Sequence, residues 1–263
     1  MTMSTLFSLE GRVALVTGGS RGIGRMIAAG FLRQGAKVYI SARHAEVCDA
    51  TAAALSAEFG AGRCISLPAD VSRTEGIAEL VAAYAAREGP LDILVNNAGA
   101  AWGAPFDEFP EKGWDKVADL NLKAPFFLTQ ALHAQLTAAG AAHGRAQPAK
   151  VINIASIDGQ TVNPQETYSY AASKAGLIHL TKRMALRLVE DNIVVNALCP
   201  GAFASDMNRT ARDEALAVSA RIPARRIGVD DDMAGAAIYL ASRAGDYVVG
   251  TTLTVDGGVN LVR

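Results

Sequence analysis

Cysteine is scarce in this 263-residue chain: Cys48, Cys64 and Cys199 are an odd three, widely spaced, with no CxxC pair and no histidine cluster beside them. That excludes a disulfide framework and gives no metal site, so the three read as buried, reduced thiols of a cytoplasmic protein. Charge of one sign is also lacking. A formal net charge of -1, with 19% charged residues, supplies no broad field to attract nucleic acid or an anionic membrane, and a small-molecule partner is expected. No apolar run reaches the roughly 18 residues of a membrane span. The start, Met1 to Gly11, has no basic stretch ahead of an apolar one, which points to a soluble, untargeted chain. Internal repeats beyond the pattern described next are absent.

What is present is an alternation. Half the residues are hydrophobic, and short β-branched runs recur at Val13–Thr17, Lys37–Ser41, Arg63–Leu67, Ile93–Asn96, Lys150–Ile154, Ile193–Ala197 and Thr252–Val255. Most are apolar on both faces, as strands covered on both sides should be. Between them lie stretches of helical spacing: Ile23–Gln34, Ala45–Phe59, Arg73–Arg87, Lys112–Ala139, Ala171–Val189 and Asp231–Ala241. This predicts an α/β fold, a single Rossmann-type doubly wound parallel sheet of seven strands flanked by helices. The length suits one domain over 1–263, with a cofactor half over about 1–150 and a catalytic half over about 151–263.

Ser72 with Glu75 three residues on reads as a capping box, and Gly35 stands where the first long helix should stop. Two segments break the rhythm. Gly140–Ala149 reads as an exposed connection, and Pro200–Gly228 is long and irregular, with one short helical pattern near Asp213–Ala220. Loops of that length inside a compact domain are usually functional, so about 201–228 is expected to be a substrate lid.

The first strand runs directly into Thr17-Gly18-Gly19-Ser20-Arg21-Gly22-Ile23-Gly24 and then a helix. Glycines there permit a sharp turn and a close approach of a diphosphate to the helix N-terminus, where free N–H groups and the dipole stabilise its charge. The spacing is G-x3-G-x-G rather than the general G-x-G-x-x-G fingerprint. The second strand ends at Ser41-Ala42-Arg43, where an acid accepting from the adenosine ribose is missing. Arg43 together with Arg21 would instead suit a 2′-phosphate, which favours NADP(H) over NAD(H). Two readings stand for Asp70-Val71 after the third strand: Asp70 holds the adenine amino group, or it simply precedes the helix cap. Asn96-Asn97-Ala98-Gly99 closes the fourth strand with small residues that leave room for a cofactor.

After the fifth strand comes Ser156, and fourteen residues later Tyr170-Ala-Ala-Ser-Lys174 opens a helix. A Tyr and a Lys four apart share a helix face, so the ammonium can sit beside the phenol oxygen. A free phenol titrates near ~10, too high for efficient acid/base work near neutral pH. Lowering it by about three units needs roughly 4 kcal/mol, which one cation at ~4 Å supplies at an effective dielectric of ~20 but not in water. The pair is therefore expected in a partly desolvated cleft, with Tyr170 as acid/base. Tyr168 lacks such a cation, because its i+4 residue is Ala172. Ser156, at a strand's C-terminal end, is placed to polarise a substrate carbonyl.

Taken together, Thr17-Gly18-x3-Gly22-x-Gly24, Asn96-Asn97-Ala98-Gly99, Asn121, Ser156, Tyr170-x3-Lys174 and Pro200-Gly201 resemble the short-chain dehydrogenase/reductase family, in order and over essentially the whole chain. Within it the chain is similar to 3-oxoacyl-thioester (acyl carrier protein) reductases of the rhamnolipid-synthesis type, from the glycine loop, the paired Tyr168-Ser-Tyr170 and the Ser-to-Tyr interval. The resemblance implies that Tyr170 protonates the alkoxide, Ser156 holds the carbonyl, Lys174 holds the nicotinamide ribose and tunes Tyr170, and Asn121 anchors a water in the proton relay. It implies that Gly18, Ser20, Arg21, Gly22, Ile23, Gly24, Arg43, Asp70, Val71, Asn97, Ala98, Gly99, Pro200, Gly201 and Ser205 join Tyr170 and Lys174 around the cofactor. It also implies a homotetramer. Ser205 stands where the family has threonine, which keeps a hydroxyl near the carboxamide. The Ser-to-Tyr gap is one residue longer than in many members, which leaves the substrate pocket less defined. The expected activity is NADP-dependent interconversion of a ketone and a secondary alcohol. A sugar, polyol or cyclic-alcohol dehydrogenase is the alternative within enzymes, and a noncatalytic redox-sensing dinucleotide binder the alternative outside them.

Overall fold

The computed structural model describes residues 3–262. Its strands are β1 (Val13–Thr17), β2 (Lys37–Ser41), β3 (Cys64–Ser66), β4 (Ile93–Asn96), β5 (Ala149–Ile154), β6 (Ile193–Pro200) and β7 (Thr252–Val255). Its helices are α1 (Met3–Leu6), α2 (Gly22–Arg33), α3 (Ala45–Phe59), α4 (Thr74–Ala85), α5 (Glu111–Ala118), α6 (Ala124–Ala131), α7 (His133–His143), α8 (Tyr168–Leu188), α9 (Arg209–Asp213), α10 (Ala215–Arg221) and α11 (Asp230–Ala241). The strands form one parallel sheet in the order β3-β2-β1-β4-β5-β6-β7. The expected seven-stranded doubly wound sheet is thus the fold.

Period-two side-chain alternation explains why both faces of these strands are apolar. Ala14, Val16, Val38, Ile40, Ile93, Val95, Ile152 and Ile154 enter a core with Ile27 and Phe31 of α2 and Met233 and Leu240 of α11. Leu15, Tyr39, Leu94, Val151 and Val195 enter the opposite core with Leu80 of α4, Leu128 of α6, Leu136 of α7 and Met184 of α8. Asn96 and Asn153 pair across β4 and β5, and their carboxamides join at 2.9 Å, with Asn153 donating on to Thr181 of α8. The amide donors of this buried ladder are hydrogen-bonded, while Asn96 Oδ1 finds no partner among the described residues. The ladder also ties the sheet to the helix that carries the expected acid.

Several local expectations are corrected. Ser72 caps nothing: its amide and hydroxyl both donate to Asp70 Oδ1, at 3.1 and 2.7 Å, and α4 begins after Arg73. A carboxylate two residues upstream is a stronger acceptor than the helix amides are donors to the serine, so the box with Glu75 does not form. The run Lys112–Ala139 is not one helix. It widens into a π-helical turn at Asp119–Lys123 and breaks again at Leu132. The connection expected over Gly140–Ala149 is shorter, since α7 continues to His143 and β5 starts at Ala149. The irregular stretch holds two short helices, α9 and α10, rather than one. Gly35 does follow the end of α2, with φ +96°.

Candidate active site

Strand order reverses at β1 and β4, which opens a crevice beyond their C-terminal ends where open α/β sheets take ligands. The glycine loop leaves β1 there. Thr17 organises it: its hydroxyl accepts from the amides of Asn97 and Ala98, both at 3.0 Å, and donates to Val95 O. The Asn97 carboxamide donates to the carbonyls of Thr17 and Gly18, at 2.9 and 3.2 Å. Asn97 therefore buttresses the loop from below. Glycine is required at Gly24, because a Cβ there would lie 2.3 Å from Gly18 O, and at Gly18, which has φ +64° and Asn97 beneath it. Ser20 is buried, and Ile23 packs against the first core.

The loop delivers the chain to α2, whose first residue follows Arg21 with no side chain capping its amides. Uncapped first-turn N–H groups and the helix dipole suit a phosphate. The glycines that permit close approach and this open N-terminus fit a dinucleotide. Arg43 is exposed just beyond β2. Arg21, in the glycine loop, pairs through its Nη1 with Asp206 at 2.9 Å. Asp70 bonds Ser72, as above. Burial raises its pKa, but the Ser72 hydroxyl and amide and the charges of Arg43 and Arg73 outweigh that and hold it below the ordinary range. Val71 is buried in the second core.

On the other side of the crevice, β5 ends at Ile154, and Ser156 follows, buried, starting a turn over Ile157–Gly159. Its hydroxyl accepts from the Asp158 amide at 3.1 Å and hydrogen-bonds the Tyr170 phenol. Gly159 presses against the α8 backbone, where a Cβ would lie 2.6 Å from Lys174 C, so the turn is held on the helix that carries Tyr170 and Lys174. Asn121 occupies the π-helical turn, fully buried. Its carboxamide accepts from Ala100 N at 2.8 Å, and donates to Ala100 O at 2.9 Å and Ser173 Oγ at 3.1 Å. The π turn spends one extra residue to aim this side chain inward, a recurrent device at functional sites. Gly99 leaves the space between Asn121 and Lys174 open, since a Cβ there would sit 3.3 Å from Asn121 Oδ1 and 3.8 Å from Lys174 Nζ.

The Tyr–Lys electrostatics differ from the expectation. Lys174 Nζ donates to Ile154 O at 2.7 Å and lies 5.6 Å from the centroid of the Tyr170 ring, so the ammonium serves a backbone carbonyl and the ring face. Burial pushes Tyr170 up to about 12, with the Ser156 hydroxyl pulling the other way, and burial pulls Lys174 down to about 8. Desolvation, not the neighbouring cation, dominates both groups. Tyr168 turns away and donates to Glu166 at 2.9 Å. Pro200 ends β6, and Gly201 just after it lies so close to Asp256 that a Cβ would meet its Cβ at 2.7 Å. Ser205 accepts from Asn208 N at 3.1 Å, and its Cβ would lie 3.2 Å from one built on Gly22. The stretch 201–228 therefore begins directly over the glycine loop.

Sequence reasoning missed Thr17 as the hub of the loop, Ser173 as a partner of Asn121, and Asp206. Ser173 sits inside the Tyr-x3-Lys segment and was visible there. Asp206 is far from Arg21 in sequence and carried no signal.

A parallel sheet with a glycine loop at its switch point, and a serine, a tyrosine and a lysine gathered opposite, define a dinucleotide-dependent oxidoreductase. The family model described as Enoyl-(Acyl carrier protein) reductase matches residues 18–260. The chain belongs to the short-chain dehydrogenase/reductase family, whose members interconvert carbonyl and alcohol groups. It is 45% identical over 262 residues to the rhamnolipids biosynthesis 3-oxoacyl-[acyl-carrier-protein] reductase of Pseudomonas aeruginosa, covering 98% of this chain and 100% of that one. It is 37% identical to the gluconate 5-dehydrogenase of Gluconobacter oxydans, with 99% of each chain covered. Among solved structures, the Pseudomonas aeruginosa RhlG/NADP active-site complex superposes with a TM-score of 0.91 at 44% identity, covering 97% of this chain and 99% of the other.

Proposed function

We propose that this enzyme is an NADP(H)-dependent reductase of 3-oxoacyl thioesters, with Tyr170 as the proton donor. The observation that carries the reading is the hydrogen-bonded pair of buried Ser156 and half-buried Tyr170, gathered with Lys174 and Asn121 at the sheet's switch point. A nicotinamide cofactor, when bound, supplies the hydride. The glycine loop, with Ser20, Ile23 and the α2 amides, would hold its diphosphate. Arg43 and Arg21 would meet a 2′-phosphate, Asp70 and Val71 the adenine, and Ser205 with Pro200 and Gly201 the nicotinamide end. Ser156 orients the substrate oxygen toward the phenol. Burial pushes Tyr170 up to about 12, so it holds its proton at neutral pH and is in the donor form, and a secondary alkoxide is a far stronger base than the phenolate, so transfer to it runs downhill. Lys174, charged below about 8, sits where it would bind ribose hydroxyls and steady negative charge on Tyr170 after the proton leaves.

The apolar character of 201–228 beside the Ser156 turn supports an acyl substrate over a polyol. Ile222 packs with Ile157, the residue after Ser156, and with Val259, and Val218 and Ile227 border them. In this reading 201–228 is the lid and the chain works as one unit over 1–263. A homotetramer in the cytoplasm completes it, and a groove of about 330 Å³ where Phe126, Leu180, Met184 and Leu188 meet His133, Arg183 and Arg187 is a face that another copy could cover. The test is kcat/KM with NADPH and NADH on 3-oxoacyl thioesters and on 5-ketogluconate. Two arginine–phosphate contacts of roughly 1.5 to 3 kcal/mol each, less the cost of ordering the side chains, predict about tenfold to a thousandfold preference for NADPH. Ala42→Asp with Arg43→Ala should move that preference toward NADH. A wild-type enzyme equal on both cofactors, or one acting on the sugar acid alone, overturns the reading.

A further inference from the structure

Tyr170 stands in the first turn of α8, and the helix is held differently on the two sides of it. After Tyr170 the helix is bedded firmly: Asn121 donates to Ser173 Oγ at 3.1 Å, Lys174 Nζ reaches Ile154 O at 2.7 Å, and Gly159 of the Ser156 turn lies against the backbone at Lys174. Before it the helix has little fastening of its own. Thr167, in the cap position, makes no side-chain bond to the first-turn amides, no acid stands in that turn, and the buried Ser169 hydroxyl finds no partner among the described residues. An uncapped first turn frays unless something outside it holds it. Here that is Glu166. Its carbonyl accepts from Ala104 N at 3.2 Å, and its Oε1 accepts from Phe106 N at 3.1 Å and from the Tyr168 hydroxyl at 2.9 Å. Tyr168 meets the rings of Phe106 and Phe109 edge-on, at centroid distances of 5.6 and 5.7 Å. Ala104, Phe106 and Phe109 belong to the loop that leaves β4 through Gly99 and Ala100, and Ala100 holds the Asn121 carboxamide. One residue thus ties the start of the helix that carries the acid to the loop that seats Asn121.

We propose that Glu166 is a positioning residue for the acid: it holds the uncapped first turn of α8 against the loop after β4 and so fixes where the Tyr170 phenol points. The proposal rests on the reading that Tyr170 donates the proton. Glu166 lies about one helical turn before Tyr170, so a shift at the start of the helix is passed to the phenol, while Lys174, held by Ile154 and by the Ser156 turn, stays in place. Proton transfer tolerates little misplacement. Donor and acceptor must approach to about 2.6–3.2 Å, and an error of about 1 Å can slow a reaction by about a hundredfold. A carboxylate suits the task because one charged oxygen takes two donors at once, and because the helix dipole favours negative charge at this end of α8. Glutamine keeps an oxygen for both donors. Alanine leaves the Phe106 amide bare and the Tyr168 hydroxyl untied, and only the backbone bond from Ala104 N remains.

The experiment is steady-state reduction of a 3-oxoacyl thioester by NADPH with the wild-type enzyme, Glu166→Ala and Glu166→Gln, in water and in deuterium oxide. Glu166→Ala should lower kcat about five- to twentyfold, with KM and the NADPH dissociation constant within about twofold of wild type. Glu166→Gln should recover most of that loss. The solvent deuterium isotope effect on kcat should rise in Glu166→Ala, because a misplaced donor makes proton transfer the slower step, whereas a mere loss of active protein leaves that ratio as it was. Hydrogen exchange of ligand-free protein gives a reading that needs no substrate: amides of 168–172 should exchange faster in Glu166→Ala and at the wild-type rate in Glu166→Gln. A rise in KM at unchanged kcat overturns the proposal, since Glu166 would then shape the pocket and not place the acid. So does a fall in kcat with the isotope effect unaltered, an equal loss in Glu166→Gln, or unaltered exchange. An active Tyr170→Phe would instead strike the assignment of the acid, and a wild-type enzyme inert on every 3-oxoacyl thioester would strike the proposed substrate, leaving the exchange result to decide the tie.

Discussion

Two buried lysines bracket β5, and the protein treats them in opposite ways. Lys150, near the start of the strand, is 3% exposed and pairs at 2.7 Å with Asp246. Lys174, 4% exposed, reaches the far end of the same strand and finds a carbonyl, Ile154 O, also at 2.7 Å. Burial lowers the pKa of both, and for Lys150 the Asp246 carboxylate works against it. A carbonyl offers Lys174 a dipole without a charge. The first lysine is neutralised where it sits, at the edge of the sheet away from the crevice. The second keeps an uncompensated charge at the edge where ligands enter. A charge meant for a ligand or a transition state cannot be cancelled in advance by the fold, so the site bears a desolvation cost that the other end of the strand avoids.

The sharpest break in the comparison is chemical. Tyr170→Phe should lower turnover by about 10²–10⁴-fold with cofactor affinity almost unchanged, because the ring stays and only the proton donor goes, whereas Tyr168→Phe should cost less than about twofold. Steady-state kinetics beside a cofactor titration decides it, and an active Tyr170→Phe with a dead Tyr168→Phe reverses the assignment.

Next in size, Lys174→Met should cost roughly 10²–10³ in kcat while leaving the protein as stable as wild type or more so, by up to about 4 kcal/mol. The sign follows from its pKa: folded at about 8 and unfolded near 10.5, the group penalises the native state fully below pH 8, and the penalty fades as pH rises from 8 to 10.5. The stability advantage of the variant over wild type should therefore be present at pH 7 and nearly gone at pH 10. Thermal melts at the two pH values measure it, and a variant that melts lower at pH 7 would show that the charge is already compensated.

Asp246→Asn sharpens the other side. It strips Lys150 of its partner and should destabilise by about 3–5 kcal/mol in urea titration, with kcat of the folded fraction unaltered. A matching loss of kcat would mean that the two ends of β5 are not independent.

The βα rhythm, the two-faced strands and hence the sheet were legible in the sequence, because parallel strands buried on both sides need uninterrupted apolar runs, as in Val13–Thr17 and Ile93–Asn96. Tyr170, Lys174, Ser156 and Asn121 were legible as residue types at fixed places in that rhythm. The helix over 112–139 was misread, since a π turn at Asp119–Lys123 leaves no mark in apolar periodicity; its signature is the inward aim of Asn121, which needs Ala100 and Ser173 opposite it. The capping box at Ser72 failed because Asp70 offered a better acceptor nearby.

By itself the sequence determined the order of elements, the glycine loop and the set of groups able to move a proton, because these depend on local geometry and on spacing along one chain. Only the tertiary structure decided how those groups are charged and whom they touch. Lys174 bonds Ile154, twenty positions away, rather than the phenol four positions away, and Arg21 finds Asp206 across 185 positions. Desolvation and pairing are properties of what surrounds an atom in space, and in this fold the surroundings of each functional group are built mostly by residues remote from it in sequence.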